Sequence, residues 1–164
     1  MPTYLKFNKY ITFALCVLLG FITNPLLSQD QAKIDSLRLL LKTSRDTSRF
    51  TLLTALFQAT NQTNFEEALG YANAAYSYAE SSSDSVLMVK AGRMIAYSLD
   101  DLGRNEEALL ILNKVIRIAQ RNQERHPELK VVLRYLYNNA GIAYMYIGKY
   151  DSSLSYHFKS LEIR

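Results

Sequence analysis

Lys90 and Arg93 lie three residues apart, a spacing that puts both cations on one face of a helix, where they could hold a carboxylate by charge-assisted hydrogen bonds. Asn138 and Asn139 are adjacent amides, each with a donor and an acceptor, which suits them to a peptide backbone. Tyr97, Tyr135 and Tyr146 supply aromatic surface that loses little rotamer freedom on binding. This is chemistry of recognition rather than of bond making. The sequence has no Ser/His/Asp set, no carboxylate pair in a defined cleft and no glycine-rich phosphate loop, so no enzymatic activity is expected. His126 and His157 have no second ligand at i+4 and no companion cysteine. Packing or a surface place is expected of them, and no metal or cofactor. Lys114, Arg117, Arg121 and Arg125 step by three or four residues and read as a solvated basic stripe, with a lipid headgroup or an acidic partner as the alternative.

Composition narrows the setting of these residues. With 164 residues, 49% hydrophobic and 21% charged, the chain can bury a core of about one domain, which excludes collagen-like, disordered and disulfide-scaffold classes. Its 19 basic side chains exceed 15 acidic ones, but Lys6 and Lys9 fall in the first 28 residues, which hold no acid, so 17 face 15 beyond them. That balance gives no reason to expect nucleic acid as a partner. The single cysteine, Cys16, sits in an apolar N-terminal run, so no disulfide, thiolate metal site or cysteine nucleophile is available further on.

The first 28 residues read as a signal peptide. Residues 1–10 carry two lysines, residues 11–22 are uncharged and apolar apart from Thr12, and Asn24-Pro25 breaks the run before Leu26-Leu27-Ser28. Twelve helical residues at about 1.5 Å each span roughly 18 Å, short of the roughly 30 Å hydrocarbon core of a bilayer. Cleavage after Ser28 is the leading expectation, with an uncleaved anchor, and hence membrane contact, as the alternative. Either way the chain is expected to be exported, to the periplasm or cell envelope.

The elements that must position the candidate residues are helices throughout. Pro127 is the only proline after Pro25, and apolar positions recur at three- and four-residue steps rather than alternating. Ile34, Leu37 and Leu41 mark a leading helix over 31–43, within a leading segment and linker at 29–47. Six further helices are expected at 48–61, 64–81, 84–102, 105–124, 127–147 and 150–164. Thr63-x-x-Glu66 has the form of a capping box, Asp84 can cap the helix after it, Glu106 and Glu107 place acids in a first turn, and Pro127 suits a first helical position.

These six helices repeat one pair three times, over about 48–82, 84–124 and 127–164, the last incomplete. Ala68, Ala108 and Ser153 align, and Ala96-x-x-Leu99-x-x-x-Gly103 matches Gly141-x-x-Tyr144-x-x-x-Gly148. Over residues 49–164 the chain resembles the tetratricopeptide repeat family, best in the segment from Asn139 to Tyr150. Periods of 40 and 45 residues exceed the family's usual length of about 34, and Thr63 stands at the first turn-glycine place.

The resemblance implies an all-α, right-handed solenoid of about three helix-turn-helix repeats, with the first helix of each pair lining a concave groove. Small residues at the crossings, Ala68, Ala108 and Ser153 opposite Ala96 and Gly141, let the backbones approach, and a glycine closes the turn. Carried onto this sequence, the groove positions are Lys90, Arg93, Tyr97, Asp100, Asp101 and Arg104 in the second unit. In the third they are Tyr135, Asn138, Ile142, Met145, Tyr146 and Lys149, and in the first Phe50, Leu53, Phe57, Thr60, Asn61 and Asn64. The peptide-groove candidates are Lys90, Arg93, Tyr97, Tyr135, Asn138, Asn139, Tyr146 and Lys149. Asp100 and Asp101 are expected to neutralise Lys90 and Arg93 in part, and Phe50, Leu53 and Phe57 to meet the leading helix.

The expected function is binding of a protein or peptide in that groove. The alternative is a sensory input region, since a leader, a leading helix and long units also resemble the exported sensor regions of bacterial two-component histidine kinases and repeat-containing transcriptional regulators. Leu154, Phe158 and Leu161 are expected to lie partly bare, open to self-association, a partner or further repeats.

Overall fold

The computed structural model describes residues 25–44 and 48–163. Among them are seven α-helices and no strand: α1 Pro25–Thr43, α2 Ser48–Thr60, α3 Phe65–Ser81, α4 Ser85–Asp101, α5 Asn105–Asn122, α6 Glu128–Tyr146 and α7 Tyr150–Glu162. The all-helical expectation and all six paired helices are therefore present. Helix α1 begins at Pro25, earlier than residue 31, because proline is accommodated in a first turn where its missing N–H has no partner to lose. Ser28 thus lies inside α1, while the basic and apolar parts of the expected leader fall outside the described residues. The chain divides into two compact units, 1–36 and 37–164, and the helix pairs belong to the second.

Local chemistry sets each helix start. Asp84 accepts hydrogen bonds from the Val86 and Leu87 N–H groups at 2.9 and 3.0 Å, a cap worth about 1 kcal/mol. The cap of α3 is Asn64 rather than Thr63: the Asn64 side chain accepts from Glu67 N–H at 3.1 Å, whereas the Thr63 hydroxyl donates back to the Thr60 carbonyl. An amide that reaches its third neighbour satisfies an orphan N–H that a threonine turned backward leaves free. Pro127 stands at the start of α6 with φ −58° and ψ −25°, already helical. Arg104, at the start of α5, makes no capping bond; its guanidinium is instead bidentate to Glu107, both contacts at 2.7 Å.

The turns within the second and third pairs close alike. Gly103 and Gly148 take φ of +71° and +75°, a region open to glycine at little steric cost. The following N–H groups then reach back to Leu99 O and Tyr144 O at 2.7 and 2.9 Å, the six-to-one bond of a Schellman ending. The same bond joins Asp84 N–H to Ala79 O at 3.1 Å across Ser83, which carries φ +53°. The turn at Thr63 closes without a left-handed residue.

Consecutive helices from α2 to α7 pack on one another, and α4 also touches α6. Ala68, Ala96, Ala108, Gly141 and Ser153 are all buried, as expected of crossing positions. A methyl group on Gly141 would stand 2.7 Å from the His157 ring, so the histidine is a packing residue that fills the space glycine leaves. Gly92, which the repeat alignment passed over, is tighter still: its missing methyl would lie 2.3 Å from Val115 Cγ1 of α5. Around these seams Leu53, Leu56, Leu112, Leu129, Leu133 and Leu136 are fully buried.

Phe50 and Phe57 meet the rings of Tyr78 in α3 and Tyr97 in α4, each with centroids 6.4 Å apart. The leading helix is tied to α3 by a polar cluster, in which the Arg38 guanidinium pairs with Glu67 at 2.5 Å and donates to Tyr71 Oη at 3.0 Å. Tyr71 Oη in turn donates to Glu67 at 2.7 Å.

Gly92→Ala should lower stability by about 1–2 kcal/mol, because overpacking against a branched valine outweighs the gain of about 1 kcal/mol in helix propensity. Gly70, with nothing within 4 Å of its added methyl, should gain up to about 1 kcal/mol on the same change. Urea unfolding of both variants checks the pair.

Candidate functional site

The first helices of the three pairs, α2, α4 and α6, are linked by side chains. Tyr97 of α4 is 42% exposed and its ring forms a T-shaped pair with Phe57 of α2, at an interplanar angle of 78°. Tyr135 of α6 is 44% exposed, and the Arg93 guanidinium of α4 lies 5.6 Å from its ring centroid. Arg134 also lies over that ring at 4.9 Å and donates from Nη2 to Tyr135 Oη at 3.0 Å. Two guanidiniums thus lie within cation–π range of one exposed tyrosine ring. Arg93, Tyr97 and Tyr135 are the candidates that the structure brings into one row. Arg134 was not among them; its only sequence signal is adjacency to Tyr135.

The other candidates share these helices without joining the row through a hydrogen bond or ion pair among the described residues. Lys90 is exposed one turn before Arg93, Asn138 is exposed one turn after Tyr135, and Asn139 is half-buried beside it. Tyr146 is exposed at the last residue of α6, and Lys149 is exposed at the cap of α7. The positions carried onto the first unit fare differently. Leu53, Phe57 and Thr60 are buried, with the Thr60 hydroxyl donating to Leu56 O at 2.8 Å, so these residues build the core and only the Phe57 ring touches the row, through Tyr97. Asn64 is spent as a cap, and Arg104 on Glu107.

Asp100 and Asp101 do not neutralise Lys90 and Arg93. Seven residues of helix separate Arg93 from Asp100, about 10 Å of rise, and among the described residues no ion pair joins either acid to a cation. Burial pushes the Asp100 carboxyl above the ordinary aspartate range, and the charge on Asp101 adds to it; burial raises Asp101 as well. Asp100 Oδ1 is buried without a hydrogen-bond partner, at the C-terminal end of α4, where the helix dipole also disfavours an anion. The row therefore carries excess positive charge around Tyr135 and an isolated acidic pair at its far end.

The basic stripe on α5 is partly structural: Lys114 pairs with Glu80 at 3.0 Å and lies 4.8 Å over the Tyr76 ring, bridging to α3. A concavity of about 370 Å³ lies between α3, α4 and α5, floored by Leu69, Ile95 and Leu99. The charges on its rim, Arg104 and Lys114, are already paired. Among the described residues no group of three or more His, Cys, Asp or Glu is placed to hold a metal, and no helix is long and apolar enough to cross a membrane. Comparison with protein-family models, curated proteins and solved structures finds no match to this chain.

Asp100→Asn tests the acidic pair. A carboxyl whose folded pKa is raised favours folding below its unfolded pKa and loses that contribution as pH rises through the folded one. The variant should therefore melt at a higher temperature than the parent at pH 7, and the gain should vanish below the ordinary aspartate range. Thermal unfolding followed across pH checks this.

Proposed function

We propose that this chain is an exported tetratricopeptide-type solenoid of three helix pairs that binds a protein or peptide along the face formed by α2, α4 and α6, without catalysis. The observation that carries this reading is the row of exposed aromatic and cationic side chains on α4 and α6, with Arg93 over Tyr135 and Tyr97 backed by the buried Phe57 ring of α2. Large aromatic rings half-open to solvent on a rigid helical frame give contact area at low entropic cost. The charges of Lys90, Arg93 and Arg134, which make no ion pair among the described residues, favour an acidic segment, and the Asn138 and Asn139 amides offer directed bonds to its backbone. The repeated small residues and left-handed turn glycines support the repeat assignment, because stacked pairs of this kind share one continuous core. The apolar, acid-free N-terminus supports export.

Extended peptides of matched length and differing charge, titrated by fluorescence anisotropy, test the proposal. Acidic peptides should bind more tightly than neutral or basic ones. Arg93→Glu should weaken them about tenfold or more, and Tyr135→Ala or Asn138→Ala about three- to tenfold, with helicity unchanged by circular dichroism. Equal binding of acidic and basic peptides, or no effect of any of the three substitutions, would count against the face.

A further inference from the structure

Helix α7 is inverted in its distribution of polarity. Its buried residues are Ser153 and Ser160, the latter donating its hydroxyl to Arg134 O at 2.8 Å. Tyr156 packs inward on the Tyr137 and Tyr144 rings, but the other large apolar side chains face out: Leu154, Phe158 and Leu161 are 56%, 57% and 72% exposed. At spacings of four, three and seven they form one stripe along the helix, the pattern of a face that packs against another helix. Charges border it, with Asp151, Lys159 and Glu162 lining the same shallow hollow as Leu154 and Phe158. Lys159 is held at this border by its position 4.7 Å over the Tyr156 ring.

We propose that this face docks on the same face of a second copy of the chain, with the two α7 helices antiparallel about a two-fold axis. The order of residues along the stripe selects that occupant. A two-fold pairing sets each residue against one equally distant on the other side of the axis, so a self-complementary face needs opposites at matching distances. Leu154 and Phe158 are centred on position 156, Asp151 and Lys159 on position 155, and exposed Tyr150 and Leu161 midway between those two. An antiparallel copy therefore puts Leu154 on the partner's Phe158, Leu161 on the partner's Tyr150, and Asp151 beside the partner's Lys159, each contact made twice. Asp151 and Lys159 lie on the same flank of the stripe, and same-flank residues meet in an antiparallel helix pair. Glu162 then falls over the start of the partner's α7, where Lys149 supplies no side-chain cap and the free N–H groups favour a carboxylate. In a copy laid parallel opposite flanks would meet, so Asp151 would no longer reach the partner's Lys159. This surface involves none of Arg93, Tyr97 or Tyr135, so it stands or falls separately from the peptide-binding face.

Cross-linking of the full chain tests it. With Cys16→Ser removing the native thiol, Ser155→Cys places a single thiol beside the axis, exposed on the same flank as Lys159. A short bis-maleimide should convert this chain to a covalent dimer at micromolar concentration. Adding Lys159→Glu, which sets two acids together, should cut the cross-linked fraction at least fivefold, with circular dichroism confirming unchanged helicity. Adding Asp151→Lys to that variant should restore it, because the reversed pair is again complementary. Absence of the dimer, indifference to Lys159→Glu, or failure of the double reversal to restore cross-linking would overturn the proposal in favour of a different protein or another helix as the occupant.

Discussion

Two helices can pack closely only where at least one of them carries a small residue at the contact, and the second compact unit of this chain is organised around that restriction. Gly92 against Val115 and Gly141 against His157 leave no room for even a methyl group, and Ala68, Ala96, Ala108 and Ser153 are buried at the remaining crossings. At such distances the helix surfaces interdigitate to the density of an organic crystal, so each pair behaves as one body. The turn glycines serve the same end. By taking left-handed backbone at Gly103 and Gly148 they let the last carbonyls of α4 and α6 be satisfied inside the turn, which returns the chain antiparallel without an orphan acceptor.

Small residues in the seams leave the large ones to be placed elsewhere. Leucines fill the shared core, while several tyrosines and phenylalanines sit at the boundary between core and solvent, where the ring is half-covered and the hydroxyl stays wet. On α4 and α6 this boundary also holds guanidiniums, and the outcome is a row in which Arg93 and Arg134 bracket Tyr135. The row is cationic because the nearest acids on α4 are two turns away, at a helix end that already bears partial negative charge. Asp100 is thus a local cost, carrying a buried oxygen without a partner. Such costs persist more easily where a surface serves recognition than where it serves packing alone.

The helices, their pairing order and the two glycine turns were legible from the sequence because each rests on short-range chemistry: capping side chains, a proline at a first turn, and left-handed glycine. What was not legible depended on distance in three dimensions. Thr63 and Asn64 are both acceptable caps by type, and the choice falls to whichever side chain can reach the third N–H. The tightness at Gly92 depends on which residue of α5 lies opposite, which periodicity does not tell. Of the positions transferred by repeat geometry, Arg93, Tyr97 and Tyr135 are exposed and in contact across helices. Leu53, Phe57 and Thr60 are instead buried in the core. Arg134 joins the candidate surface through a ring stacked on its own neighbour, a contact that residue spacing along a helix does not suggest.

Phe57 of α2, Arg93 and Tyr97 of α4 and Tyr135 of α6 meet across three helices. Nuclear Overhauser spectroscopy of the full chain tests this arrangement most directly. The account requires cross-peaks from the Phe57 ring to the Tyr97 ring and from the Arg93 δ protons to the Tyr135 ring in the same sample. Their absence, with Tyr97 or Tyr135 showing contacts to α3, α5 or α7 instead, would contradict it.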